Sequence, residues 1–172
     1  MTSLLEWIGK HAAEIIALCA VAFTAYQAIV QRRHNILSVK PHISTFTIRN
    51  RAANSARLQI LIMNNGLGPA FINKFQVYLS GQPCEPKAAV GSALKGLSAD
   101  TSMTVLDDDY AMPAGEVRSV LSVTFPCDSE EFFEKVADRL RKLDLEVLYS
   151  SAYGKTFVFD SRLKKASLTR VI

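Results

Sequence analysis

The sequence predicts a mainly β protein: an amino-terminal transmembrane helix followed by an immunoglobulin-like antiparallel β-sandwich with one inserted helix. Three observations carry this reading. Residues 12–30 hold a single charge, Glu14, and are followed at once by Gln31, Arg32 and Arg33. Beyond Pro41 come about seven short segments of alternating or apolar pattern, separated by turn residues. Only one stretch there, 128–143, has a strong helical period.

The span comes first. A helix rises about 1.5 Å per residue, so residues 12–30 cover roughly 28 Å, close to the hydrocarbon thickness of a bilayer. A core helix of this length carries a charged stripe, and none follows Glu14. Glu14 lies within a turn of the apolar boundary and reaches the headgroups, and Trp7 suits the interface. A cleaved signal peptide is the weaker reading. Its basic start is missing, since Glu6 offsets Lys10, and apolar residues run on past Ala20-Val21-Ala22 to Val30. Lys10 precedes the span, whereas Arg32, Arg33, Lys40 and Arg49 follow it, which places the carboxy-terminal domain in the cytoplasm. Ala13, Ala17, Ala20, Thr24, Gln27 and Gln31 recur at alternating spacings of four and three. They form a seam of small and polar residues suited to packing against a second copy; the common use of alanine in such helices is the competing explanation.

Four regions follow: an anchor over 1–33, a juxtamembrane linker over 34–41, a β-sandwich over 42–161 and a basic tail over 162–172. Lys40 precedes Pro41 and so disfavours helix, and the chain turns extended there. Strands are expected over 42–48, 57–63, 70–79, 102–106, 116–125, 144–151 and 155–160, with a bulge in the third around Asn73. Gly81-Gln82-Pro83, Asp107-Asp108-Asp109, Met112-Pro113-Ala114-Gly115 and Tyr153-Gly154 supply turns. In the helix over 128–143, Phe132, Phe133, Val136, Ala137, Leu140 and Leu143 share one face. A shorter helix over 88–97 is weakened by Gly91 and Gly96.

The string Met63-Asn64-Asn65-Gly66-Leu67-Gly68-Pro69-Ala70 is the most specific in the chain. Asn65, Gly66, Gly68 and Pro69 read as a tight structural turn between two strands, with Asn and Gly supplying positive φ. A phosphate-binding loop needs a helix behind it, and 71–79 reads as strand. The string resembles, together with Arg33-His34-Asn35, Ser38-Val39-Lys40-Pro41 and the closing segments 147–149 and 153–157, a loose group of small bacterial membrane-anchored proteins of unknown function. That resemblance implies a bacterial origin and a sandwich; it carries over no activity and no catalytic residue. With the single span, the expected location is the bacterial inner membrane.

Chemistry-bearing patterns are sparse. Three adjacent aspartates at 107–109 cannot all face one cation and read as a solvated turn tip. His11, His34 and His42 lack ligand spacing, and no histidine in the second half serves a serine as base. Cys84 and Cys127 lack a CxxC partner; they pair in an oxidising compartment or remain thiols in the cytoplasm. No metal or cofactor is expected. The net charge of +4 is modest, and the cations cluster beside the span and in the tail. Arg32, Arg33, Lys40, Arg162, Lys164, Lys165 and Arg170 are candidate contacts for anionic lipid or an anionic ligand. Nucleic acid is not expected, since no aromatic residues interleave these cations. The leading function is a non-enzymatic membrane-anchored protein that assembles through its span and binds a partner with its sandwich. The alternatives are a ligand-gated, cyclic-nucleotide-type membrane-perturbing effector in bacterial defence, and an accessory subunit of a larger membrane complex.

Overall fold

The computed structural model describes residues 2–52, 54–127 and 129–163. The chain divides into two compact units, Met1–Ser38 and Val39–Ile172.

The first unit is a single helix, α1 (Thr2–Ser38). Its stretch Lys10–Ser38 is long and apolar enough to cross a membrane, with mean hydropathy 1.8, and none of that window is buried in the structure. The helix outlasts the expected anchor: the stretch 34–38, expected as linker, is helical. Nothing in it breaks a helix before Lys40 meets Pro41, and the Ser38 hydroxyl donates back to Asn35 O at 2.9 Å.

The second unit is two antiparallel sheets around one core. Its strands are β1 (Ile43–Arg51), β2 (Ser55–Asn64), β3 (Ala70–Leu79), β4 (Gln82–Cys84), β5 (Asp100–Met103), β6 (Ala111–Met112), β7 (Val117–Pro126), β8 (Leu143–Ser150) and β9 (Thr156–Asp160). One sheet has the order β1-β2-β7-β5; the other has β4-β3-β8-β9, with β6 paired to the start of β3. Helix α2 (Pro86–Ala93) joins β4 to β5, and helix α3 (Glu130–Leu140) joins β7 to β8, so each helix carries the chain from one sheet to the other.

Alternation builds the core. Ile43, Leu58 and Ile62 face inward from the first sheet, Ile72, Val77 and Val147 from the second, and all are buried in one cluster. Tyr149 stacks on Phe157 at 5.5 Å, and its phenol oxygen accepts the Ile43 amide at 3.4 Å, which ties β8 to β1 across the core. The expected bulge is present, since the β3–β8 register slips between Ile72 and Lys74. A second slip, between Ile60 and Leu61 opposite β7, leaves no sequence signature. β3 and β4 meet through Ser80 and Gly81, both at positive φ, a two-residue hairpin turn.

Both soluble helices differ from their expected bounds. α3 starts behind Ser129, whose hydroxyl accepts the Phe132 amide at 3.2 Å. It closes where the amides of Arg141 and Lys142 bond Ala137 O and Arg139 O, so Leu143 is buried as the first residue of β8 rather than as helix. α2 begins earlier, at Pro86, because Glu85 caps it by accepting the Ala88 amide at 2.7 Å. It ends by Ala93, ahead of Gly96 at positive φ.

Candidate functional site

One concavity of the β unit is a groove of about 200 Å³ between the inner face of β1 and α3. Thr45, Thr47 and Arg49 of β1, an edge strand, form one side of it. Leu58, Ile60, Leu140 and Leu145 make an apolar floor, and Ser161 closes one side. The rim is charge-balanced. Arg49 Nη1 lies 3.1 Å from Glu134 Oε1, and Arg141 Nη2 lies 3.6 Å from Glu134 Oε2. Arg51 pairs with Glu130, and Arg141 also pairs with Asp138. These pairs are exposed, so each contributes at most about 1 kcal/mol. Their consequence is chemical: the guanidiniums at the groove are already met by carboxylates. An apolar side chain suits this groove better than a phosphate does.

The second feature is a polar knot around Asn64. This residue is wholly buried. Its Nδ2 donates to Gly68 O at 2.8 Å, Met112 O at 3.1 Å and Pro113 O at 3.2 Å. Its Oδ1 accepts the amides of Gly66 at 3.0 Å and His42 at 3.1 Å. One side chain thus fastens the β2–β3 turn, the start of β1 and the β6–β7 turn. The expected structural turn is here, but its glycines serve another purpose. No residue of 63–70 has positive φ. A Cβ on Gly66 would sit 2.4 Å from Lys40 O, and one on Gly68 would sit 1.9 Å from Val39 O. The glycines are needed because backbone 39–42 is pressed against them, and the Leu67 amide donates to Lys40 O at 3.2 Å. Asn65 reaches the Ser44 hydroxyl, and Pro69 leads directly into β3. Turn chemistry does not single out Asn64 itself. Its signal is parity: it continues the inward series Ala56, Leu58, Ile60, Ile62, where a polar residue must be satisfied.

Of the candidate cations, Lys40 and Arg162 are the described ones in the β unit, and they lie apart. Lys40 Nζ lies 5.5 Å from the Phe157 ring near the start of β9. Arg162 lies past the other end of that strand. It clasps Asp160, with contacts at 2.7 and 2.9 Å, bonds Glu146 Oε2 at 2.6 Å and stacks on Tyr78 at 3.7 Å. Arg162 holds the Asp160 carboxyl below its ordinary range. Arg32 and Arg33 belong to α1, and Lys164, Lys165 and Arg170 lie outside the described residues.

On α1, Ala13, Ala17, Ala20, Thr24, Gln27 and Gln31 all fall within one continuous helix, on an arc of roughly 80°. The Thr24 hydroxyl donates to Ala20 O at 2.8 Å. Away from that arc, the Trp7 and His11 rings lie 4.9 Å apart, and His11 Nδ1 is 2.8 Å from Glu14 Oε2. Glu14 therefore has a local partner that the sequence pattern did not reveal.

Among the described residues, no group of three or more His, Cys, Asp or Glu is placed to hold a metal ion. Cys19, Cys84 and Cys127 are unbridged. Neither a protein-family model nor a curated protein sequence matches this chain.

Proposed function

We propose that this is a non-enzymatic, single-pass protein of a bacterial inner membrane, whose cytoplasmic β domain binds a protein partner. The observation that carries the reading is α1. Its apolar stretch has mean hydropathy 1.8, no buried residues and a length sufficient to span. The exposed Ile16, Leu18, Val21 and Phe23 have no place in water at that density. Arg32 and Arg33 at its carboxy-terminal side favour the cytoplasmic orientation. The strand orders β1-β2-β7-β5 and β4-β3-β8-β9 support an immunoglobulin-like sandwich, since they match the ABED and CFG pairing with one added edge strand. The charge-balanced rim and apolar floor of the groove favour an apolar protein segment over an anionic messenger as its occupant. The small-residue seam supports assembly into homo-oligomers through the span.

The test is extraction and topology. The full chain is expected to stay with membranes through alkaline carbonate. A reporter fused at Ile172 is expected to be active only in the cytoplasm. Release by carbonate, or a reporter active only in the periplasm, overturns the reading.

A further inference from the structure

At one end of the β unit lie four segments: the incoming chain 39–42, the β2–β3 turn, the β6–β7 turn and the β8–β9 turn. The antiparallel registers place them together, because Ile43 pairs with Asn64, Met63 with Val117, and Phe71 with both Ala111 and Ser150. Hydrogen bonds join the first three segments: Asn65 N to His42 O at 2.7 Å, and Gly115 N to Asn64 O at 2.8 Å. The fourth is joined by its aromatic ring. Lys155 Nζ lies 5.8 Å from Phe157, the same ring that Lys40 approaches.

The side chains at this end are unusual for a solvated tip. Leu67 is 77% exposed and Tyr153 52% exposed. Val117, beside them, is also exposed. Leu67 is not on a loose loop: its flanking glycines pack against backbone 39–42, and its amide is bonded to Lys40 O. The only acid in the four segments is Glu116, whose Oε1 accepts from Tyr110 at 2.6 Å and from Arg118. The opposite end holds Glu130, Glu131, Asp144 and Asp160 together with Arg51 and Arg162, which pair with Glu130 and Asp160. An apolar tip, an amphipathic tyrosine and two lysines form a set that an anionic lipid surface accepts, and the exposed Asp107, Asp108 and Asp109 lie further along β3, beside Ile72. The apolar groups enter below the headgroups and the ammoniums remain among the phosphates.

We infer that this end of the β domain docks on the anionic lipid of the membrane that holds α1, through Leu67, Tyr153, Lys40 and Lys155. The inference rests on the proposed anchor, since Val39 follows Ser38 directly and the domain is tethered at this end. The rigid clasp of 39–42 by Gly66 and Gly68 makes the tether short. Docking then fixes which face of the domain a partner meets, and leaves the β1 groove clear of the lipid-bound tip.

Full-length protein in nanodiscs tests this. A photoreactive benzoylphenylalanine replaces Leu67 or Tyr153, and the control position is Ala52, exposed in the β1–β2 turn at the far end. Discs contain phosphatidylcholine alone or with phosphatidylglycerol. Lipid crosslinking is expected from positions 67 and 153, in excess over 52, and stronger in anionic discs. The double variant Lys40→Gln, Lys155→Gln is expected to weaken docking by roughly thirty-fold in anionic discs. Crosslinking from 67 no greater than from 52, in protein that remains disc-bound, overturns the docking. Protein that never enters discs overturns the anchor instead.

Discussion

Asn64 shows how much one buried polar side chain organises. It satisfies three carbonyls and two amides from three separate segments. Each of those groups, left without a partner in a buried site, costs about 1–3 kcal/mol, although relaxation and water recover part of the loss. Asn64→Ala is therefore expected to destabilise the folded chain by about 3 kcal/mol, read as a lowered midpoint in urea titration in detergent. A loss below about 0.5 kcal/mol would mean that the knot is incidental. Asp160 gives a pH signature. Arg162 lowers its folded-state pKa from the ordinary value near 3.8. Its contribution to stability is complete above that ordinary value and disappears as pH falls through the lower folded-state value. Arg162→Gln is expected to flatten this acid limb of the stability curve while leaving Cys127 and the rest of the core packed as before. An acid limb unchanged in the variant would assign it to other carboxylates.

At the scale of elements, α1 and α3 are both amphipathic in different senses. α3 buries Phe133, Val136, Ala137 and Leu140, and its acids Glu130 and Glu134 reach Arg51 and Arg49 on β1. Its polar face thus spans the edge of the groove instead of being merely solvated. α1 instead exposes large apolar residues around most of its circumference and confines small and polar ones to the seam. If that seam is where two copies meet, large side chains there hold the backbones apart. Ala17→Leu with Ala20→Leu is expected to weaken self-association by about tenfold, from the 1–2 kcal/mol typical of such contacts. Light scattering in mild detergent reads the outcome, and an unchanged oligomer would place assembly elsewhere.

At the scale of the whole molecule, the β domain is polarised along its strands. The tethered end exposes Leu67, Tyr153, Lys40 and Lys155 and holds the Glu116–Arg118 pair; the far end carries the Arg51–Glu130 and Arg162–Asp160 pairs. The β1 groove runs along the side of the domain between these ends. This arrangement separates three proposed tasks in space: membrane attachment, lipid contact and partner contact. It also accounts for the split among the basic residues. Lys40 belongs to the tethered end, whereas Arg162 is held by Asp160 and Glu146 at the far one.

Local chemistry in the sequence was enough to determine α1, six strands close to their bounds, the β3 bulge and the helix between β7 and β8, because hydrophobic period and turn residues act over a few positions; the strand expected over 102–106 instead runs over Asp100–Met103, where β7 pairs with it. It also determined that a tight turn lies within 63–70, observed between Asn64 and Ala70. What it could not determine depends on contacts between distant segments. Gly66 and Gly68 are required by backbone 39–42, not by φ, and that approach exists only once β1 and β2 are paired. Short β4 and β6 are strands because β3 offers them an edge. The groove, the five-bond knot of Asn64 and the gathering of Leu67, Tyr153, Lys40 and Lys155 at one end were decided by tertiary structure alone. Side-chain period specifies which face of a segment is buried; only the packed sheets specify which segments share an end.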